Sequence, residues 1–232
     1  MSEEFLGQLA GLLNGAVWTL ALCSSAGIAG TAFGFVLGLG QTSSRAILRW
    51  PAVVYVTVVR GVPVLLLIFF VYFGVPLLFG VNLDPFLTGF LSLALVGAAY
   101  TGEIFRGAIE AVPRGQTEAA HALGLGYADR LFRVIMPQAL RIAVPAGTGF
   151  LINLVKDSSL IGIIGFVELT RAAKILSNLT LDPLGAFLMA AAIYFVISFV
   201  ISRTGNAIER RLTPKLGKRA RIQESSLTPT GH

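Results

Sequence analysis

The residues that could do chemistry are few. One Cys and two His cannot build a disulfide framework or a Cys/His metal cluster. The two His and the scattered carboxylates form no clustered catalytic set, and no phosphate-cradling glycine loop is written in the chain. What is left is a handful of ionisable side chains inside otherwise apolar stretches. At membrane depth such groups are costly, so they tend to be kept for function. Glu103 lies near the end of one stretch. Lys156 and Asp157 interrupt another, with Asn153, Ser158 and Ser159 around them. This set could meet a polar substrate. The competing reading is that Lys156 and Asp157 neutralise each other and serve the fold alone. Arg60 is expected to snorkel at the edge of an apolar span.

The composition says what kind of element must position these groups. Hydrophobic residues make up 55% of the 232 residues and charged residues 13%, with a mean hydropathy of +0.78. An ordinary soluble domain carries about 25% charged residues. A soluble fold of this size would leave large sticky patches, so the chain is expected to be an all-α membrane protein. A spanning helix takes roughly 20 mostly apolar residues. The apolar windows, the fourth interrupted by Lys156 and Asp157, predict five spans, at about residues 15–40, 61–83, 85–105, 142–167 and 183–203. Residues 1–14 are expected as a short segment outside the membrane, and residues 213–232 as a basic tail, polar and disordered at its end. The first span lacks the positive flank of a signal peptide, and Leu22 stands before Cys23 where a lipoprotein site wants a small residue. No cleavage is expected, and Cys23 reads as a buried apolar residue.

Arg and Lys set the orientation, because short basic loops stay in the cytoplasm. Arg45 and Arg49 follow the first span, and Arg106, Arg114, Arg130, Arg133 and Arg141 follow the third. The tail adds Arg203, Arg210, Arg211 and further basic residues. The N-terminal segment and the turn at Asp84 carry no Lys or Arg, and the loop before the last span holds Arg171 and Lys174, offset by Glu168 and Asp182. The N-terminus is therefore expected outside and the C-terminus inside. The net charge of +6 then marks the cytoplasmic face and anionic lipid, not a nucleic-acid partner. In the first span, Gly27, Gly30, Gly34, Gly38 and Gly40 fall at close helical steps; they read first as ordinary membrane packing, with a tight and sliding helix contact as the functional alternative.

The loop at about residues 107–138 is too long for a plain connection. Pro113-Arg114-Gly115 breaks the preceding helix, and Gln116 to Leu123 forms a helix with Glu118 early. Gly124 and Gly126 interrupt it. A second helical run, Ala128 to Ile135, is expected to end before Pro137. The exposed face of this knob would carry Ala119, Ala120 and Leu123, and a small apolar face turned to the cytoplasm wants a partner. The alternative is an interfacial helix lying on lipid.

Here the residues resemble a known family. Glu118-Ala119-Ala120, three residues, Gly124, nine residues and Val134-Ile135-Met136-Pro137 resemble the EAA loop. That loop marks the membrane subunits of binding-protein-dependent ABC importers. The family prefers Ile at the position of Val134 and Leu at that of Met136. Arg60-Gly61-Val62-Pro63, Phe69 to Gly74, Ala99 to Gly107, and Lys156-Asp157-Ser158-Ser159-Leu160 are similar to the polar amino-acid permeases. Val62 stands where those often have Thr. The likeness covers about Gly15 to Leu212.

The resemblance implies a type I ABC importer transmembrane domain spanning residues 15–212. It implies a bacterial inner-membrane protein with two ABC ATPase subunits and a second permease, identical or homologous, as partners. An extracytoplasmic amino-acid-binding protein would deliver the substrate. The chain itself would hold no cofactor and hydrolyse nothing, with ATP-Mg on the partner ATPase subunits. The ATPase-coupling interface would be Glu118, Ala119, Ala120, Leu123, Gly124 and Pro137, with Glu118 pairing to a basic partner group or capping its own helix. The substrate pathway would use Glu103, Asn153, Lys156, Asp157, Ser158 and Ser159. The rivals are a secondary transporter or channel, which would want ion-coupling carboxylates, a pore ring or inverted repeats, and a membrane-bound enzyme.

Overall fold

The computed structural model describes residues 2–212. The expected basic tail at 213–232 lies outside the described residues. Every regular element described is helical. Helix α1 runs Ser2–Gln41, α2 Ala46–Gly61 and α3 Val64–Phe79, the last with a π-helical turn at Phe70–Gly74. Helix α4 is Pro85–Glu110, α5 is Arg114–Ala122 and α6 is Tyr127–Ile164. Leu169–Thr180 is α7 and Pro183–Leu212 is α8. Four of these, α1, α4, α6 and α8, are long and apolar enough to cross a membrane; α2 and α3 together make a fifth if the bent pair is one span.

The second span departs from its expected bounds of 61–83. Residues 46–61, expected as a basic loop, are helical and end at a bend of 107° to α3. The cause is local. Pro63 has no N–H to give the ladder, and it pushes Val62 into an extended conformation, φ −104° and ψ 135°. Charge alone placed the boundary at Arg60, but helix α2 lies packed on α1 and α4. Residues 2–14 likewise continue α1 instead of forming a separate segment. Gly15 there abuts Leu169 and Ala172 of α7 so closely that a Cβ would meet Ala172 at 2.8 Å.

The expected helix end before Pro137 is also overturned. Helix α6 runs through it, because Arg130–Ile135 widens into a π-helical turn. Met136 N–H bonds to the Leu131 carbonyl, five residues back, so the missing proline donor falls where the ladder is already displaced. Gln138 Nε2 donates to the Val134 carbonyl at 2.8 Å and satisfies part of the disturbed turn.

Close packing fixes the directions of the helices. Gly30 lies against Gly97, Gly34 against Ala98 and Gly102, and Gly38 against Phe105. Numbers rise together, so α1 and α4 run parallel. A Cβ on Gly34 would sit 2.8 Å from the Ala98 carbonyl oxygen and the Gly102 nitrogen, closer than atoms pack. Phe150 stacks on Tyr100, while Ala139 and Ala143 meet Ala108 and Val112, so α6 runs antiparallel to α4. Helix α8 runs antiparallel to α6, with Tyr194 near Lys156 and Arg211 near Pro137. The largest core cluster joins Leu22, Ile68, Leu93, Leu154 and Ile161 from four of these elements and the 3-10 end of α6. Cys23 is buried and free.

Candidate functional site

The loop between α4 and α6 is a compact two-element knob. Helix α5 starts after Pro113 and ends at a tight glycine turn. Gly124 sits at φ +75°, a conformation that costs a residue with Cβ about 1–2 kcal/mol. Its N–H donates to the His121 carbonyl at 2.9 Å, and Leu125 N–H donates to the Ala120 carbonyl at 3.1 Å. This pair of bonds is a Schellman motif, which satisfies carbonyls that the helix end would otherwise strand. Helix α5 then rests on the Arg130–Ile135 turn of α6. Gln138 Nε2 reaches Gln116 Oε1 at 3.4 Å, and Arg130 lies 3.5 Å from His121 Nδ1.

Glu118, Ala119, Leu123, Gly124 and Pro137 are exposed on this knob. Leu123 is 79% exposed. Ala120 differs from expectation: it is buried, facing inward at 3% exposure. A three-residue Glu-Ala-Ala run spans most of a helical turn, so its members cannot share one face. Glu118 makes no side-chain hydrogen bond or ion pair among the described residues, and it lies too far into α5 to cap it.

The ionisable groups at depth fall into two separate sets. Glu103 is a hub. It pairs with Arg106 at 2.6 Å and with Arg60 at 3.5 Å, and Arg106 also pairs with Glu110. The Arg60 guanidinium lies 5.4 Å above the Tyr100 ring, which stacks on Phe150. Arg60, expected to snorkel at the edge of a span, is carried by α2 onto α4, beside the bend, with its side chain 40% exposed. The second set surrounds the end of α6. Lys156 is exposed and Asp157 half-buried, with no ion pair between them among the described residues. Asn153 is exposed too. Ser158 Oγ and Ser159 Oγ donate to their own helix, at the Val155 and Lys156 carbonyls, each at 2.7 Å. Lys156 and Ser159 line a cavity of about 430 Å³ with Thr170, Tyr194 and Ser198. Glu103, Asn153 and Asp157 do not line it.

Sequence reasoning missed Glu168, counting it only as charge balance. It is fully buried. Its carboxylate caps α7 by accepting the N–H groups of Thr170 and Arg171, each at 2.7 Å, and it accepts the Tyr194 hydroxyl at 2.9 Å. The position before a helical run was the available signal, but Glu is not among the residues favoured there.

The comparisons agree with this architecture. A family model described as "Binding-protein-dependent transport system inner membrane component" matches residues 30–214. The probable amino-acid ABC transporter permease protein YckA of Bacillus subtilis is 36% identical, over 86% of this chain and 88% of its own. The octopine transport system permease protein OccQ of Rhizobium meliloti is 40% identical, over 86% and 89%. A solved chain of an amino acid ABC transporter with histidines is 34% identical and matches with a TM-score of 0.83, over 90% of this chain and 97% of that one. A chain of the MetNI methionine ABC transporter, at 23% identity, has the same fold with a TM-score of 0.79. With the family model over most of the chain and relatives this similar end to end, the chain belongs to the inner-membrane components of binding-protein-dependent transport systems.

Proposed function

We propose that this chain is the permease subunit of an ATP-driven importer for a polar amino acid. An extracytoplasmic binding protein delivers the substrate, and two ABC ATPase subunits with bound ATP-Mg drive transport through this chain and a second permease, identical or homologous. The carrying observation is the knob itself. Helix α5 is closed by the Gly124 turn and seated on the base of α6. A push on the exposed Glu118, Ala119 and Leu123 surface would pass to α6 as a rigid-body shift, since packed elements move as units. Pro137 lies on the same continuous helix. The names of the similar permeases, several of them for amino acids, support the substrate class.

The orientation is N-terminus outside and C-terminus in the cytoplasm, with five crossings. Helices α1, α4 and α8 run one way and α6 the other, and the bent α2–α3 pair supplies the return. The Arg-bearing ends then share the cytoplasmic side. Substrate passes near the Lys156–Ser159 cavity, whose ammonium and hydroxyls suit a carboxylate. Glu103, Asn153, Asp157 and Ser158 would act less directly, by holding charge and backbone around the path.

The test is Gly124→Asp, co-expressed with its partners. Uptake in membrane vesicles should be lost while the protein reaches the membrane at its usual level. Normal uptake by that variant would sink the coupling role. Substrate uptake by this chain alone in liposomes, without ATPase subunits, would sink the importer reading and favour a secondary transporter.

A further inference from the structure

A groove of about 980 Å³ opens between α1, α2 and the first turns of α6. Its wall is apolar: Phe33 and Val36 from α1, Leu48 and Tyr55 from α2, Leu131 and Phe132 from α6. One end is different. There the α1–α2 link presents Ser43, Ser44 and Arg45, two hydroxyls and a guanidinium. No acidic side chain lines the groove.

The dimensions fit one leaflet. From Phe33 to the end of α1 at Gln41, the wall rises about 12 Å at about 1.5 Å per residue. Half of a hydrocarbon core of roughly 30 Å is about 15 Å. The groove is thus apolar over most of a leaflet's depth and turns cationic where α1 stops. On the same end of α2, Ile47 and Trp50 are exposed, and a Trp beside Arg is the composition of a membrane–water boundary. Those side chains suit the mouth of the groove to lipid headgroups.

We propose that this groove binds an anionic phospholipid from the leaflet at which α1 ends. An acyl chain lies along the apolar wall, and the phosphate meets Arg45, Ser43 and Ser44. The inference rests on the membrane setting of the family and not on the amino-acid reading.

The assembled transporter, co-expressed with its partners, is placed in phosphatidylcholine nanodiscs with a minor fraction of phosphatidylglycerol. It is then extracted in mild detergent, and retained lipid is counted by native mass spectrometry. Phosphatidylglycerol should be retained selectively, and Arg45→Gln should lower its retention about five-fold, as loss of one membrane-surface cation implies. Leu48→Trp, which fills the groove, should displace the retained phosphatidylglycerol. In a Leu48→Cys variant, a photoreactive phosphatidylglycerol should label the groove. Equal retention of both lipids by the natural chain, or retention unchanged by Arg45→Gln, would overturn the proposal. So would cross-linking of Leu48→Cys to a second permease or an ATPase subunit, which would make the groove a protein interface. Retained lipid, not uptake, is the readout, so a negative result leaves the importer reading standing.

Discussion

Glu168 shows how much one buried carboxylate can hold. It joins the start of α7 to α8 by accepting two backbone N–H groups and the Tyr194 hydroxyl. Glu168→Ala takes the acceptor from two backbone N–H groups, while the Tyr194 hydroxyl keeps Thr170 Oγ1 at 3.0 Å. Each unsatisfied group costs roughly 1–3 kcal/mol, so a total loss of about 2–6 kcal/mol is expected. Thermal melts in detergent should show a clearly lower Tm, with Glu168→Gln falling less because an acceptor oxygen is kept. An unchanged Tm for Glu168→Ala would mean the network contributes nothing to stability. Its cap on Thr170 and Arg171 is local, but its bond to Tyr194, 26 positions away, was illegible in the sequence. Gly124 was legible, because a glycine between two helical runs states its own backbone need.

At the scale of elements, the two surprises have opposite causes. The helix break at Val62-Pro63 follows from proline chemistry, yet hydropathy and charge pointed to Arg60 as a loop boundary. Continuity through Pro137 depends on a π-helical turn, which no pattern in the residues announces. The Arg60–Glu103–Arg106 chain ties the end of α2 to α4. Arg60 is 40% exposed in its side chain, so Arg60→Gln should cost under about 1 kcal/mol. Glu103→Gln takes the partner from two arginines at once and should cost more, about 1–2 kcal/mol. Melting both variants side by side checks the order. If Arg60→Gln is the more damaging, the stack on Tyr100, not the ion pair, secures α2.

For the whole molecule, α1 and α4 run parallel and α8 runs antiparallel to α6, and the proposed orientation, with termini on opposite faces, is open to a labelling test. The chain has a single Cys, so a Cys23→Ala background permits clean labelling. An impermeant maleimide should label Asn82→Cys in intact cells, and Ala119→Cys only in inverted vesicles. The reverse pattern would invert the orientation.

The membrane setting, the apolar stretches and the Glu118–Pro137 spacing were readable from the sequence. These properties are local: hydropathy sums over about 20 residues, and turn chemistry acts between near neighbours. Only the tertiary structure decided which charges meet. It set Glu103 between Arg60 and Arg106, turned Ala120 inward, separated Glu103 from the Lys156 cavity and buried Glu168. Each depends on which helix faces lie together. Glycine-to-glycine contact between α1 and α4 sets that, and the contact exists only once residues some 67 positions apart, such as Gly30 and Gly97, have packed.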